Sequence, residues 1–215
     1  MMVKGENKKR LMWTVINIAS LILLGLTLQI GGAYIVNAAV NCMEGGAGAT
    51  GAAADQYSRY MDAIRNLDSR QIMHVIFVAP LVEEIIFRLI FLRAGRMILP
   101  FRAANLIQAA LFGIYHSTTV QKVYGFVMGL IIGCVFYYCP IIYKKLIADA
   151  KLKDVPNSLI GVAITFLLHV VINSTGLYIA PLLPADIAIP AQFGLGGMMM
   201  IIAAAAVYAL RWRTL

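Results

Sequence analysis

Charge is scarce in this chain. Only 13% of its residues are Asp, Glu, Lys or Arg, about half the share of roughly 25% usual in globular domains, while 61% are hydrophobic. A water-soluble fold of that composition would leave large apolar patches exposed and aggregate. A soluble domain is therefore excluded and a bilayer setting implied. No Pro-, Gly- or Ser-rich stretch is long enough to separate two domains, so residues 1–215 read as a single integral membrane domain. Cysteine is nearly absent. Cys134 and Cys139 fall in one apolar run and cannot pair along a helix, and Cys42 stands alone, which excludes a disulfide framework and a thiol-metal motif.

Further absences narrow the chemistry. There is no HExxH pair, no apolar span contains an Asp, and Ser117 and Ser174 lack the Gly-flanked setting of a nucleophile. Helical zinc, aspartyl and serine designs of membrane hydrolase are thereby set aside. No internal repeat of the kind many carriers show is present, which argues against a small transporter.

What the chain does contain is apolar runs. Six are long enough to notice: about 11–40, 71–92, 103–117, 123–143, 158–180 and 192–210. The expected fold is all-α, a polytopic membrane bundle of about six transmembrane helices. The first run is expected to tilt, or to loosen at Gly31-Gly32. Its apolar stretch from Leu11 to Leu28 exceeds the 7 to 15 residues of a signal-peptide core, so it reads as a retained anchor.

The formal net charge is +8, but its distribution points to topology and not to nucleic acid, so no nucleic-acid partner is expected. Lys4, Lys8, Lys9, Arg10, Arg93, Arg96, Arg102, Lys144, Lys145, Lys151, Lys153, Arg211 and Arg213 all fall on one side if both termini are cytoplasmic. The other side holds Arg59, Arg65, Arg70 and Lys122 beside Glu44, Asp55, Asp62, Asp68 and Asp186. The bilayer itself is thus the first partner. Between the first two runs, a flexible Gly/Ala tract (Gly45 to Ala54) precedes Tyr57, Tyr60, Met61, Ile64 and Leu67 at helical spacing. This predicts an amphipathic helix on the membrane surface, packed over the bundle.

Polar residues inside these runs are few, and each costs roughly 2.5 to 3.5 kcal/mol at mid-membrane. They come in three short patterns: Glu83-Glu84 with Arg88, Phe112 with His116, and His169 with Asn173. Glu84 and Arg88 are four apart and share a helical face, where an ion pair lowers the cost of both. Glu83 lies about 100° further round the helix and is left to face a cavity, as a carboxylate suited to take a proton from water. His116 offers an imidazole to the same water. His169 and Asn173 project from one face and would aim two N–H donors at one point, as an oxyanion hole does. His74, near the end of its run, reads as a packing or interfacial residue. The bland reading of the set is a buried ion pair with interhelical hydrogen bonds. Their concentration in separate spans favours a site for hydrolysing an amide.

The same residues carry a resemblance. Glu83-Glu84-Ile85-Ile86-Phe87-Arg88 matches EExxxR, Phe112 to His116 matches FxxxH, and His169 to Asn173 matches HxxxN. In that order, in successive apolar runs, they resemble the CPBP family of CAAX-protease and bacteriocin-processing intramembrane proteases, also called the Abi group. The resemblance covers about 71–180, and Gly125, Gly129 and Gly133 look like the family's glycine-rich span, otherwise a small-residue face for close helix packing. It implies an intramembrane endopeptidase in which Glu83 and His116 activate water, His169 and Asn173 stabilise the oxyanion, and Glu84 and Arg88 support them. A metal-free reaction is expected; zinc or another divalent metal on Glu83, His116 and His169 is the alternative. The implied partner is a membrane-associated peptide or protein substrate, with no sign of a prenyl-cysteine pocket. The compact, loop-poor chain looks more like a bacterial member, hence an expected place in a bacterial plasma membrane. A non-proteolytic membrane scaffold or immunity factor, or a small six-span transporter, would use the same residues for binding alone.

Overall fold

In the computed structural model, residues 2–43, 49–147, 154–184 and 187–212 are described, and they are helical almost throughout, with no strand among them. Helix α1 spans Met2–Met43 and α2 Ala49–Arg65. A third rod, α3, covers residues 69–95 and changes winding along its length. Helix α4 is Phe101–Tyr115, α5 Thr119–Ile147, α6 Asn157–Tyr178 and α7 Ile189–Trp212, with a single 3₁₀ turn at Ala180–Leu182.

The stretches Leu11–Met43, Thr119–Lys145, Asn157–Leu182 and Ile189–Ala209 are long and apolar enough to cross a membrane. Their outward side chains, among them Val15, Leu23, Leu167 and Ile201, are exposed and apolar. Such residues suit lipid and not water. The shared core lies between four elements: Leu28 of α1; Met128, Ile132 and Val135 of α5; Leu168 and Ile172 of α6; Ala203 and Val207 of α7. With lipid outside as apolar as the core, close contact must come from small residues.

Two expectations change here. The pair Gly31-Gly32 does not loosen α1, which runs through it unbroken. A methyl group at Gly31 would sit 2.8 Å from Met199 Cβ, and Gly32 lies against the Tyr124 ring. These glycines admit neighbours. The Gly/Ala tract is also shorter than expected, because α2 already begins at Ala49; Glu44 and Gly45 to Gly48 lie outside the described residues, as do Lys151, Lys153, Asp186 and Arg213.

Helix α2 does present its apolar face inward. Ala54 is buried and Tyr57, Tyr60, Met61 and Ile64 are partly covered, whereas Asp55, Arg59, Asp62 and Arg65 are exposed. Burial pushes the Tyr57 phenol up to about 12. The helix is tied to the start of α5 by Gln56 Oε1, which accepts from Thr119 N at 3.2 Å.

Candidate active site

The site begins with the winding of α3. Asp68 starts the rod: its side chain accepts from the backbone N–H groups of Arg70 and Gln71 at 2.8 Å each, and Gln71 Oε1 accepts in return from Asp68 N at 2.9 Å. At His74–Val78 the helix widens to π geometry, so that the Ala79 N–H donates five residues back, to His74 O. In that register the next donor, serving Val75 O, would be residue 80. Residue 80 is Pro and has no N–H. A carbonyl orphaned in an apolar setting demands another partner. Asn173 of α6 supplies it, Nδ2 donating to Val75 O at 2.9 Å.

A second π stretch, Glu84–Leu92, follows directly on Glu83. Wider winding puts less angle between successive residues, and both carboxylates reach the same imidazole. His169 Nδ1 lies 2.9 Å from Glu84 Oε1, and Nε2 lies 3.6 Å from Glu83 Oε2. Glu84 is completely buried, with its Oε2 3.2 Å from Arg88 Nε. Glu83 is the more open of the two carboxylates, its side chain 13% exposed against 0% for Glu84. The expected ion pair is therefore present, and Glu83 has a neighbour besides. It meets His169, a residue 86 positions on that the helical wheel of α3 alone cannot show.

His116 does not sit inside a span. It ends α4, with extended backbone (φ −76°, ψ 152°). Its Nδ1 lies 2.8 Å from Phe112 O; a carbonyl only accepts, so Nδ1 carries a proton and Nε2 is the nitrogen left for other partners. Gly125 of α5 makes room for the ring, since a Cβ there would sit 3.0 Å from His116 Nδ1. The glycine-rich face thus packs on the site itself. Phe112 stands between the parts: edge-on to His116 at 4.9 Å and to His169 at 6.0 Å between centroids, with the Arg88 guanidinium 4.7 Å over its ring.

Around His116, Thr118 and Gln121 cap α5 reciprocally, Thr118 N donating to Gln121 Oε1 and Gln121 N to Thr118 Oγ1. Tyr60 of α2 reaches this corner. Burial first, and the Glu83 charge in smaller part, hold its phenol above the ordinary value, against a hydrogen bond with Gln121 that lowers it. Helix α2 is in this sense a cover over the site.

Two buried residues escaped the sequence reading. Gln108 and Asn105, on α4, are linked at 2.7 Å, and Gln108 accepts a hydrogen bond from Arg88 Nη1. Their signal was present: two carboxamides three apart in a run that is otherwise nearly all apolar. His74, read as a peripheral residue, is exposed.

Glu83, Glu84, Arg88, His116, His169 and Asn173 are thus drawn into one neighbourhood by α3, α4 and α6. Among the described residues no three His, Cys, Asp or Glu side chains are disposed to hold a metal ion. What the cluster offers is a carboxylate and an imidazole nitrogen, two groups able in kind to accept protons, beside N–H donors. No curated protein and no solved structure matches the chain. A family model described as "Type II CAAX prenyl endopeptidase Rce1-like" matches residues 67–175, half of the chain and nearly all of α3 to α6, so this integral membrane protein belongs to the Rce1-like family of peptide hydrolases.

Proposed function

We propose that the protein hydrolyses a peptide bond of a membrane-associated protein or peptide with Glu83 and His116 as water-activating groups and His169 and Asn173 as oxyanion donors. The observation that carries this reading is the position of Glu83 and Glu84 beside the two nitrogens of His169. With Nδ1–H given to Glu84 at 2.9 Å, Nε2 stands 3.6 Å from Glu83 Oε2, beyond hydrogen-bond length and so not committed to it. In the reacting state we assign His169 both ring protons, which sets two cations, His169 and Arg88, beside two carboxylates.

The steps then balance. Water, held by Glu83 and the His116 Nε2 lone pair, attacks the scissile carbonyl carbon and leaves its proton on these two groups. The carbonyl oxygen becomes an oxyanion facing His169 Nε2–H and the second N–H of the Asn173 carboxamide, the first being spent on Val75 O. The C–N bond breaks as the retained proton passes to the leaving amine. Glu84 and Arg88 take no proton; they hold the imidazole.

The whole chain acts as one membrane domain, with its catalytic core at about 71–180. Both termini are cytoplasmic in a six-pass topology, and the setting is a bacterial plasma membrane. For α3, 27 residues would give about 40 Å at the α-helical rise of 1.5 Å, and somewhat less with its π turns, still enough to cross; α4 is about 22 Å long and falls short of the roughly 30 Å core. That shortness leaves the His116 turn within the bundle.

Terminal-peptide profiling of cells carrying the wild type or Glu83→Gln, at equal membrane abundance, tests the reading. Membrane-proximal cleavage products that vanish with Glu83→Gln name the substrate. Matching profiles, with a deletion phenotype still rescued by Glu83→Gln, would leave a scaffold instead. Bound zinc, measured on the purified chain and lost together with activity, would replace the metal-free chemistry.

A further inference from the structure

We infer that Gln108 is a positioning residue for His169, acting through Arg88 and Glu84; the inference rests on the proposed role of His169. Gln108 is fully buried on α4. Its Oε1 accepts from Arg88 Nη1, and its Nε2 donates to Asn105 Oδ1 at 2.7 Å and to Gly129 O at 2.9 Å. Both N–H groups and the carbonyl oxygen are occupied, so the amide has one orientation. Turned over, it would set N–H against the guanidinium and oxygen against two acceptors.

Asn105 is fixed in the same way. Its oxygen accepts from Gln108, while Nδ2 donates to Leu130 O at 3.0 Å, with Cys134 Sγ at 3.6 Å. The two carboxamides are thereby anchored on backbone carbonyls of α5, whose positions the helix holds rigid. Gly133 keeps that approach open, since a Cβ there would lie 2.8 Å from Gln108 Nε2.

From that anchor the chain of contacts runs to the imidazole. Gln108 holds one side of the guanidinium, the Phe112 ring covers its face at 4.7 Å, and Glu84 Oε2 meets Nε at 3.2 Å. Glu84 Oε1 meets His169 Nδ1 at 2.9 Å, while its Oε2 and Arg88 Nε, though at ion-pair distance, form no hydrogen bond, so the link through Arg88 is its charge. Packing alone does not call for this arrangement. A Leu or Met at 108 would fill the volume without the cost of burying an amide, whereas the amide directs a carboxylate that orients an imidazole, as groups behind a reacting side chain commonly do.

The test uses the full chain, purified in detergent and labelled with ¹⁵N-histidine, with Gln108→Met as an equal-volume replacement. The chain has three histidines, so the His169 signal is assigned by its loss in His169→Gln. In the wild type we expect a slowly exchanging His169 Nδ1–H. In Gln108→Met that signal should broaden or vanish, and kcat should fall on the order of ten-fold with KM unchanged. Leu106→Ala, on the exposed side of α4, should alter neither. If Gln108→Met does not fold, Gly133→Ala, which presses on the carboxamide from α5, is read in the same way. A His169 signal and kcat that both stay as in the wild type would overturn the proposal. The NMR signal needs no substrate. A fully active Glu83→Gln would therefore sink the proteolytic reading while the His169 signal still decides the role of Gln108.

Discussion

The α1–α7 pair and the α3–α6 quartet solve the same problem with opposite chemistry. Both must hold helices together where burial from water offers little, because lipid surrounds them. The α1–α7 pair does it by removing side chains: Gly31 and Gly196 face each other so closely that a Cβ at Gly196 would sit 2.6 Å from Gly31 O. The quartet does it by inserting polar ones. Glu84, Arg88, Asn105, Gln108 and His169 are all buried there, and their hydrogen bonds and ion pairs join α3, α4, α5 and α6. Small residues give contact that any similar helix could exploit. A polar network gives direction, since each group must point at its partner or remain unsatisfied at a cost. Direction of that kind is what the proposed reaction needs, and the pair can serve as a frame for it.

Four substitutions bear on that contrast, from the largest effect to the smallest. Glu83→Gln keeps shape and removes the proton acceptor; peptide cleavage by the purified chain should fall by about 10² to 10⁴, with thermal stability little altered. Arg88→Met strips the buried Glu84 of its counter-charge. Unfolding in mixed micelles should then show a loss of about 3 to 5 kcal/mol, and Glu84→Gln on top of Arg88→Met should recover part of it. A recovery that fails to appear would mean the ion pair is not the source of the loss. Gly196→Val overpacks the other region. We expect about 1 to 3 kcal/mol of destabilisation and an unchanged kcat per folded molecule; a kcat loss as large as that of Gln108→Met would erase the distinction between frame and site. Asp68→Ala removes the cap of α3 and should cost about 1 kcal/mol, seen as faster amide exchange confined to the first turn after residue 68.

Much of the fold was legible beforehand because hydropathy is a local property. The apolar runs later described as α1, α5, α6 and α7 stand out by composition, and the period of Tyr57, Tyr60, Met61 and Ile64 located the covered face of α2. The third and second runs were less faithful to expectation. The third is a helix of 15 residues that stops at Tyr115, so His116 terminates it. The second contains two π stretches, and a helical wheel drawn at 100° per residue separated Glu83 from Glu84, although both carboxylates lie beside one imidazole.

Most of the polar residues that the bundle gathers were likewise conspicuous in the chain, since charged and carboxamide residues in apolar runs are costly. By itself the sequence determined that this is an all-helical membrane protein, and it selected Glu83, Glu84, Arg88, His116, His169 and Asn173 from the rest. It also held a quieter instruction: Pro80 lacks the N–H that Val75 O would need, which leaves a carbonyl requiring a donor. Only the tertiary structure decided that Asn173 is that donor, that one imidazole stands between two carboxylates, and that Gln108 grips Arg88. The reason is physical. Cost and winding are set by neighbours along the chain, but a hydrogen bond is set by distance and angle between atoms, and these partners come from helices up to 98 residues apart.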